Sequence, residues 1–253
     1  LKAAMLDIVG SGVIDDLLPK PEPFPEIAPK QCRSDYFDLG ETLATTEHGW
    51  VDETYNMSVP SGPKLYMRII PHALEGDLTS TAALKLAQSG QLEPMRSKHQ
   101  IGGIGFDRNK YGAIAFTGGD RNIVALAQLH KNKEIWGIDT VLQRIKGIVH
   151  HGFEEIFQSM LPTYLRFAHE TLKLSFPITA EVGITGIEGF KIEAPPGMGF
   201  GGYERHGGKF TESEVFKRFV VESQDIDSEE VLQPFFETVW EEAGQTSRPT
   251  MPK

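Results

Sequence analysis

The chain has 253 residues, 40% hydrophobic and 24% charged, with a net charge of −10 from 35 acidic and 25 basic side chains. Such a composition suits a globular domain with its own core, and no apolar run approaches the roughly eighteen residues a spanning helix requires. Nucleic-acid binding needs clustered Lys and Arg to displace counterions; here they are scattered and Ser223 to Glu242 is strongly acidic, which disfavours direct contact with DNA or RNA.

The single cysteine, Cys32, cannot build a disulfide framework and points to a reducing, cytoplasmic setting. The chain opens on Leu1 without a signal-peptide pattern, so the expectation is a piece of a longer polypeptide.

Leu6, Val9, Val13 and Leu17 give a loose helical period interrupted by Gly10 and Gly12. Alternating prolines from Pro19 to Pro25, with Pro29 behind them, enforce an extended linker. Residues 31 to 60 carry no decisive pattern. Lys64 to Pro71 reads as a strand closed by proline. Leu78 to Ala87 reads as a short helix, with Thr79 or Ser80 as its cap and Ser89-Gly90 as its end. Tyr111 to Phe116 is a predicted strand, followed by a turn at Gly118-Gly-Asp120. Asn122 to His130 and Glu134 to Asp139 form the arms of a hairpin around Lys131-Asn-Lys133.

Apolar residues at three-four spacing from Phe153 to Leu172 predict a long helix, with a kink or restart at Pro162. Strands follow at Ile178 to Ile184, Gly189 to Glu193 and, beyond a glycine-rich loop, Val215 to Glu222. Val231, Leu232, Phe235, Phe236, Val239, Trp240 and Ala243 stripe a closing helix. Asp227 with Glu230 caps it, Gly244 stops it, and Pro234 lies inside it. The expected architecture is α+β: an antiparallel sheet of about six strands with two long helices on one face. The expected layout is an N-terminal helix and Pro-rich linker over 1–30, the α+β domain over 31–244, and a flexible tail over 245–253.

Each motif is weaker than its letters suggest. Gly197-Met-Gly-Phe-Gly-Gly202 spells a dinucleotide fingerprint, but Tyr203 to Lys209 has no helical period to present amides to a phosphate. A flexible loop remains, and its Phe200, Tyr203 and Arg205 suit partner contact. His150 and His151 diverge by about 100° on a helix, and His151 and His169 would stand roughly 27 Å apart, so neither pair holds a metal. Asp107, Asp120, Asp139, Glu181 and Glu188 sit near predicted strand ends. A metal-dependent nuclease would need two or three of them to converge. There is no nucleophile elbow. No catalytic, cofactor-binding or metal-ligating residue is assigned, and no cofactor is expected.

Five segments, taken in order, resemble a known family. They are Arg108-Asn-Lys-Tyr-Gly-Ala-Ile114, Ala127-Gln-Leu-His-Lys-Asn-Lys-Glu-Ile-Trp-Gly-Ile-Asp139, Leu161-Pro-Thr-Tyr-Leu165, Gly186-Ile-Glu-Gly-Phe-Lys191 and Leu232-Gln-Pro-Phe-Phe-Glu-Thr-Val-Trp240. They look like the C-terminal accessory region of bacterial proteins that begin with a Schlafen-like, AlbA-type DNA-binding domain. The resemblance spans roughly residues 64 to 244, about one domain's length. It implies a non-catalytic sensing or protein-interaction and assembly domain of a larger regulatory or defence protein. Nucleic acid would then be met only through the N-terminal module, which has no counterpart here. Protein partners or self-association are expected, and no membrane. The alternative is a metal-dependent nucleic-acid hydrolase using the strand-end carboxylates.

Overall fold

Side chains alternate between the two faces of a strand, and that parity organises this protein. The computed structural model describes residues 44–47, 54–57, 62–72, 77–97, 102–109, 111–119, 122–144, 147–150, 152–193 and 206–245. The chain divides into Leu1–Tyr36 and Phe37–Lys253, and every described residue belongs to the second unit. The expected N-terminal helix, its linker and the tail beyond Gln245 lie outside the described residues.

In chain order, strands β1 (Ala44–Glu47) and β2 (Thr54–Met57) form a hairpin, and β3 (Lys64–Pro71) leads to helix α1 (Ser80–Ser89). Strands β4 (Gly105–Asn109), β5 (Gly112–Gly119), β6 (Asn122–His130) and β7 (Ile135–Asp139) follow. Then come β8 (Ile148–His150), helix α2 (Phe153–Arg166) and a π-helical turn at Phe167–Thr171. Strands β9 (Ile178–Thr185), β10 (Lys191–Glu193), β11 (His206–Lys209) and β12 (Glu214–Val221) precede the closing helix α3 (Ser228–Glu242).

Seven strands join in the order β12-β9-β3-β7-β6-β5-β4, all neighbours antiparallel. A small second sheet, β11-β10-β8, pairs β10 antiparallel to β11 and parallel to β8. The architecture is α+β with one strand more in the main sheet than expected, and α1 joins the two long helices.

One parity of the central strands is largely aliphatic. Leu65, Met67 and Ile69 of β3 stand in register with Ile184, Val182 and Ala180 of β9. Ala127 and Leu129 of β6 and Ala113 and Ala115 of β5 continue that face. These residues share a single buried cluster with Ala83 and Ala87 of α1, Phe157, Leu161 and Leu165 of α2, and Leu232, Phe235 and Val239 of α3. The small alanines let the helices approach the sheet closely. Gly137 does the same for Tyr164, whose ring comes to 2.6 Å of where a Cβ would stand.

The helices begin and end where local chemistry requires. Thr79 caps α1 by accepting from Ala82 N at 3.1 Å. Asp227 caps α3 by accepting from Glu229 N at 2.9 Å and Glu230 N at 3.3 Å. Gly244, at φ 73°, takes the left-handed conformation that ends it. Phe153 and Phe157 of α2 meet Phe235 and Phe236 of α3 edge-on, with centroids 5.1 Å apart for Phe157–Phe235 and 5.9 Å for Phe153–Phe236. Trp240 Nε1 donates to Glu154 Oε1 at 2.9 Å within the same buried contact.

The restart expected at Pro162 does not occur. Met160, Leu161, Tyr164 and Leu165 are buried on both sides of it, and this packing carries the helix through the missing hydrogen bond. The irregularity falls later, where Leu172 N donates to Phe167 O at 3.1 Å across a π turn. Gly118 and Gly119 extend β5 past a bulge instead of forming a turn. Truncating Phe157 to alanine removes the centre of the interhelical aromatic cluster. It should lower unfolding stability by about 3–5 kcal/mol in a urea titration.

Candidate functional site

The opposite face of the seven-stranded sheet has a different chemistry. Its buried apolar side chains, among them Tyr66, Ile70, Ile114, Phe116, Leu126 and Ile138, stand outside the helix-side cluster. A polar row crosses the sheet between them. Register places Arg218 of β12 beside Glu181 of β9, then Arg68 of β3, Trp136 of β7, Gln128 of β6, Ile114 of β5 and Asp107 of β4.

The row is knit by short-range contacts. Arg68 Nε donates to Glu134 Oε1, and Trp136 Nε1 donates to the same oxygen at 2.6 Å. The Arg68 guanidinium also lies over the Trp136 ring, 4.8 Å from its centroid. Arg218 Nε donates to Glu181 Oε2, a carboxylate that is 0% exposed. Gln128 Nε2 donates to the carbonyls of Ala113 and Leu129 at 2.9 and 3.1 Å. On one flank Tyr66 stacks on Trp136 with centroids 6.2 Å apart, and its hydroxyl donates to Glu214 Oε1 at 2.9 Å. Gly183 makes this possible: the Tyr66 ring passes 2.5 Å from where its Cβ would stand. On the other flank His72 Nε2 meets Thr179 Oγ1 at 2.6 Å.

His130 ends β6 on this face, with its backbone N donating to Glu134 O at 2.8 Å and its ring 6.1 Å from that of Tyr111. Burial lowers its pKa from the ordinary 6.5 to about 4; the Glu134 charge opposes the shift and the Arg68 charge adds to it. The side chain is therefore neutral at physiological pH and is not a proton donor there.

The Arg68–Glu134 and Arg218–Glu181 pairs join neighbouring strands and so brace the register of the sheet. No group of three or more His, Cys, Asp or Glu among the described residues is placed to hold a metal ion. The described strand-end carboxylates do not gather. Asp107 is on the polar face of β4, whereas Asp139 is buried on the helix-side face of β7, three strands or roughly 14 Å away. Asp139 Oδ1 accepts from Val141 N, and Glu188 is exposed in the turn after β9. Glu181 lies mid-strand and not at an end. Asp120, His151, Cys32 and the loop residues Phe200, Tyr203 and Arg205 lie outside the described residues. His169 is exposed on the π turn, its Nδ1 3.2 Å from Leu174 O.

Sequence reasoning passed over Arg68, Glu134, Trp136 and Arg218. A signal was present: Arg68 stands inside an otherwise hydrophobic strand, where a charge must find a partner.

The chain matches no protein-family model, no curated protein and no solved structure in the comparisons made. No helix among the described residues is long and apolar enough to cross a membrane.

Two outcomes test this description. Gly183→Ala should cost about 1–3 kcal/mol by forcing the Tyr66 ring from its seat, read as a lower urea midpoint at unchanged slope. His130 has a depressed folded-state pKa, so its contribution is full above pH 6.5 and is lost as pH falls towards 4. Wild-type stability should fall by roughly 3 kcal/mol through that window from this group, and His130→Gln should flatten that part of the pH profile.

Proposed function

We propose that this chain is a non-catalytic protein-interaction and assembly domain working in the cytoplasm. The observation that carries the reading is a contrast on one sheet face. Glu134, Glu181 and Glu214 are engaged by arginine, tyrosine and tryptophan donors, whereas Phe216 and Val220 are 40% and 51% exposed at the sheet edge. Large exposed apolar side chains beside polar residues mark protein contact surfaces more often than reaction centres. The net charge of −10 favours protein partners over nucleic acid, and a single cysteine suits a reducing compartment. The wider setting, a bacterial regulatory or defence protein with a Schlafen-like module, rests on the order of the five resembling segments.

Native mass spectrometry of the chain isolated from its own cells tests the reading. The expected result is a species carrying additional protein mass, whether its own or another's. Turnover of DNA, RNA or nucleotides with magnesium or manganese, abolished by a single carboxylate substitution such as Glu181→Gln in a folded variant, would overturn it.

A further inference from the structure

We infer that Lys191 and Lys209, which face each other across β10 and β11, form the docking point for a glutamate- or aspartate-rich segment of a protein partner. The inference rests on the interaction reading above and names the partner's chemistry. The two lysines stand directly opposite in the antiparallel register of the small sheet. Lys191 N donates at 2.8 Å to the carbonyl of Gly147, the residue before β8, and so points away from β11. Phe210 N donates to Phe190 O at 2.9 Å beside the pair. That pattern marks the narrow, non-hydrogen-bonded kind of pair, with Cα atoms about 4.5 Å apart and side chains at their closest. Like charges in such positions oppose strand pairing. Among the described residues, neither ammonium has an ion-pair or hydrogen-bond partner.

The strands that carry the pair are anchored from behind. Alternation turns Ile192 of β10 to the opposite face, where it joins its register partner Val149 of β8 in the buried core. Phe210, next to Lys209, belongs to the same cluster and is 1% exposed. The approach from in front is open. Lys209 is exposed and Lys191 half-buried, and Gly147 and Gly189 at the margins of the pair have nothing within 4 Å of where a Cβ would stand. An anion between the ammonium groups replaces one repulsion with two attractions. A side-chain carboxylate suits the place better than a nucleic-acid backbone. β11 runs against the C-terminal end of α3, with Ala243 O 2.3 Å from where a Gly208 Cβ would stand. The last turn of α3 carries exposed Glu241 and Glu242 and no basic residue. A continuous row of phosphates would meet those acids, whereas carboxylates spaced along a peptide can stop at the lysines. Exposed contacts of this kind contribute little each, so the pair sets where the segment lies and the rest of the interface supplies affinity.

Fluorescence anisotropy of the purified full chain with a labelled glutamate-rich peptide at low salt is the test, with a glutamine-rich peptide as comparison. The glutamate peptide should bind, the glutamine peptide should not, and binding should weaken as salt rises. Lys191→Gln and Lys209→Gln should each weaken it by roughly two- to five-fold, and Lys85→Gln, on α1, should leave it unchanged. Both variants at the pair should unfold at a urea concentration no lower than wild type, since each removes a like-charge contact. Carbodiimide coupling, which joins an amine to a carboxylate in contact with it, should place the peptide on Lys191 and Lys209.

No binding, equal binding of the glutamine peptide, or coupling to other lysines alone would overturn the inference. So would tighter binding of a single-stranded oligonucleotide, or full displacement of the peptide by an equal concentration of inorganic phosphate. A lowered urea midpoint in both variants would assign the lysines to the fold instead. A chain that ignores the peptide yet carries another protein's mass from the cell separates this failure from that of the interaction reading, which would then stand.

Discussion

The Arg68–Glu134 ion pair, roofed by Trp136, is the constraint on which the main sheet depends. Removing two charges from water is costly, and their attraction offsets that cost only when every donor and acceptor is well placed. Here the pair ties β3 to the start of β7, and Arg218 with Glu181 ties β12 to β9 in the same row. A slip of one residue in any of these strands would turn an arginine or glutamate into the aliphatic cluster beneath the helices. The polar row therefore fixes register, and register delivers Leu65, Met67, Val182 and Ala180 to the other face.

From that division the rest follows. The aliphatic face receives α1, α2 and α3, and the aromatic contacts of Phe153 and Phe157 with Phe235 and Phe236 lock the two long helices to each other. On the polar face Glu134, Glu181 and Glu214 accept hydrogen bonds from arginine, tryptophan and tyrosine donors. At the end strand Phe216 and Val220 are 40% and 51% exposed.

Much of the fold was legible because it rests on local rules. Lys64 to Pro71, the β6–β7 hairpin and the caps at Thr79, Asp227 and Gly244 fall where alternation, turn residues and capping side chains put them. The short strands β4, β8 and β11 escaped, since three to five residues carry little periodicity. At Pro162 the helix runs on without a restart, because the local cost is outweighed by tertiary packing. The polar row was the least legible feature. Glu181 and Arg218 are 37 residues apart and Arg68 and Glu134 are 66 apart, so their meeting depends on strand order, which no local pattern encodes.

A double-mutant cycle on Arg68 and Glu134, using Arg68→Met, Glu134→Leu and the pair together, reads the brace most directly through urea unfolding. If the row holds the sheet, each single change is strongly destabilising and the two couple by about 0.5–3 kcal/mol, the double variant recovering part of the loss. Additivity within about 0.5 kcal/mol, with small single effects, would show that these charges do not support one another and would contradict the account.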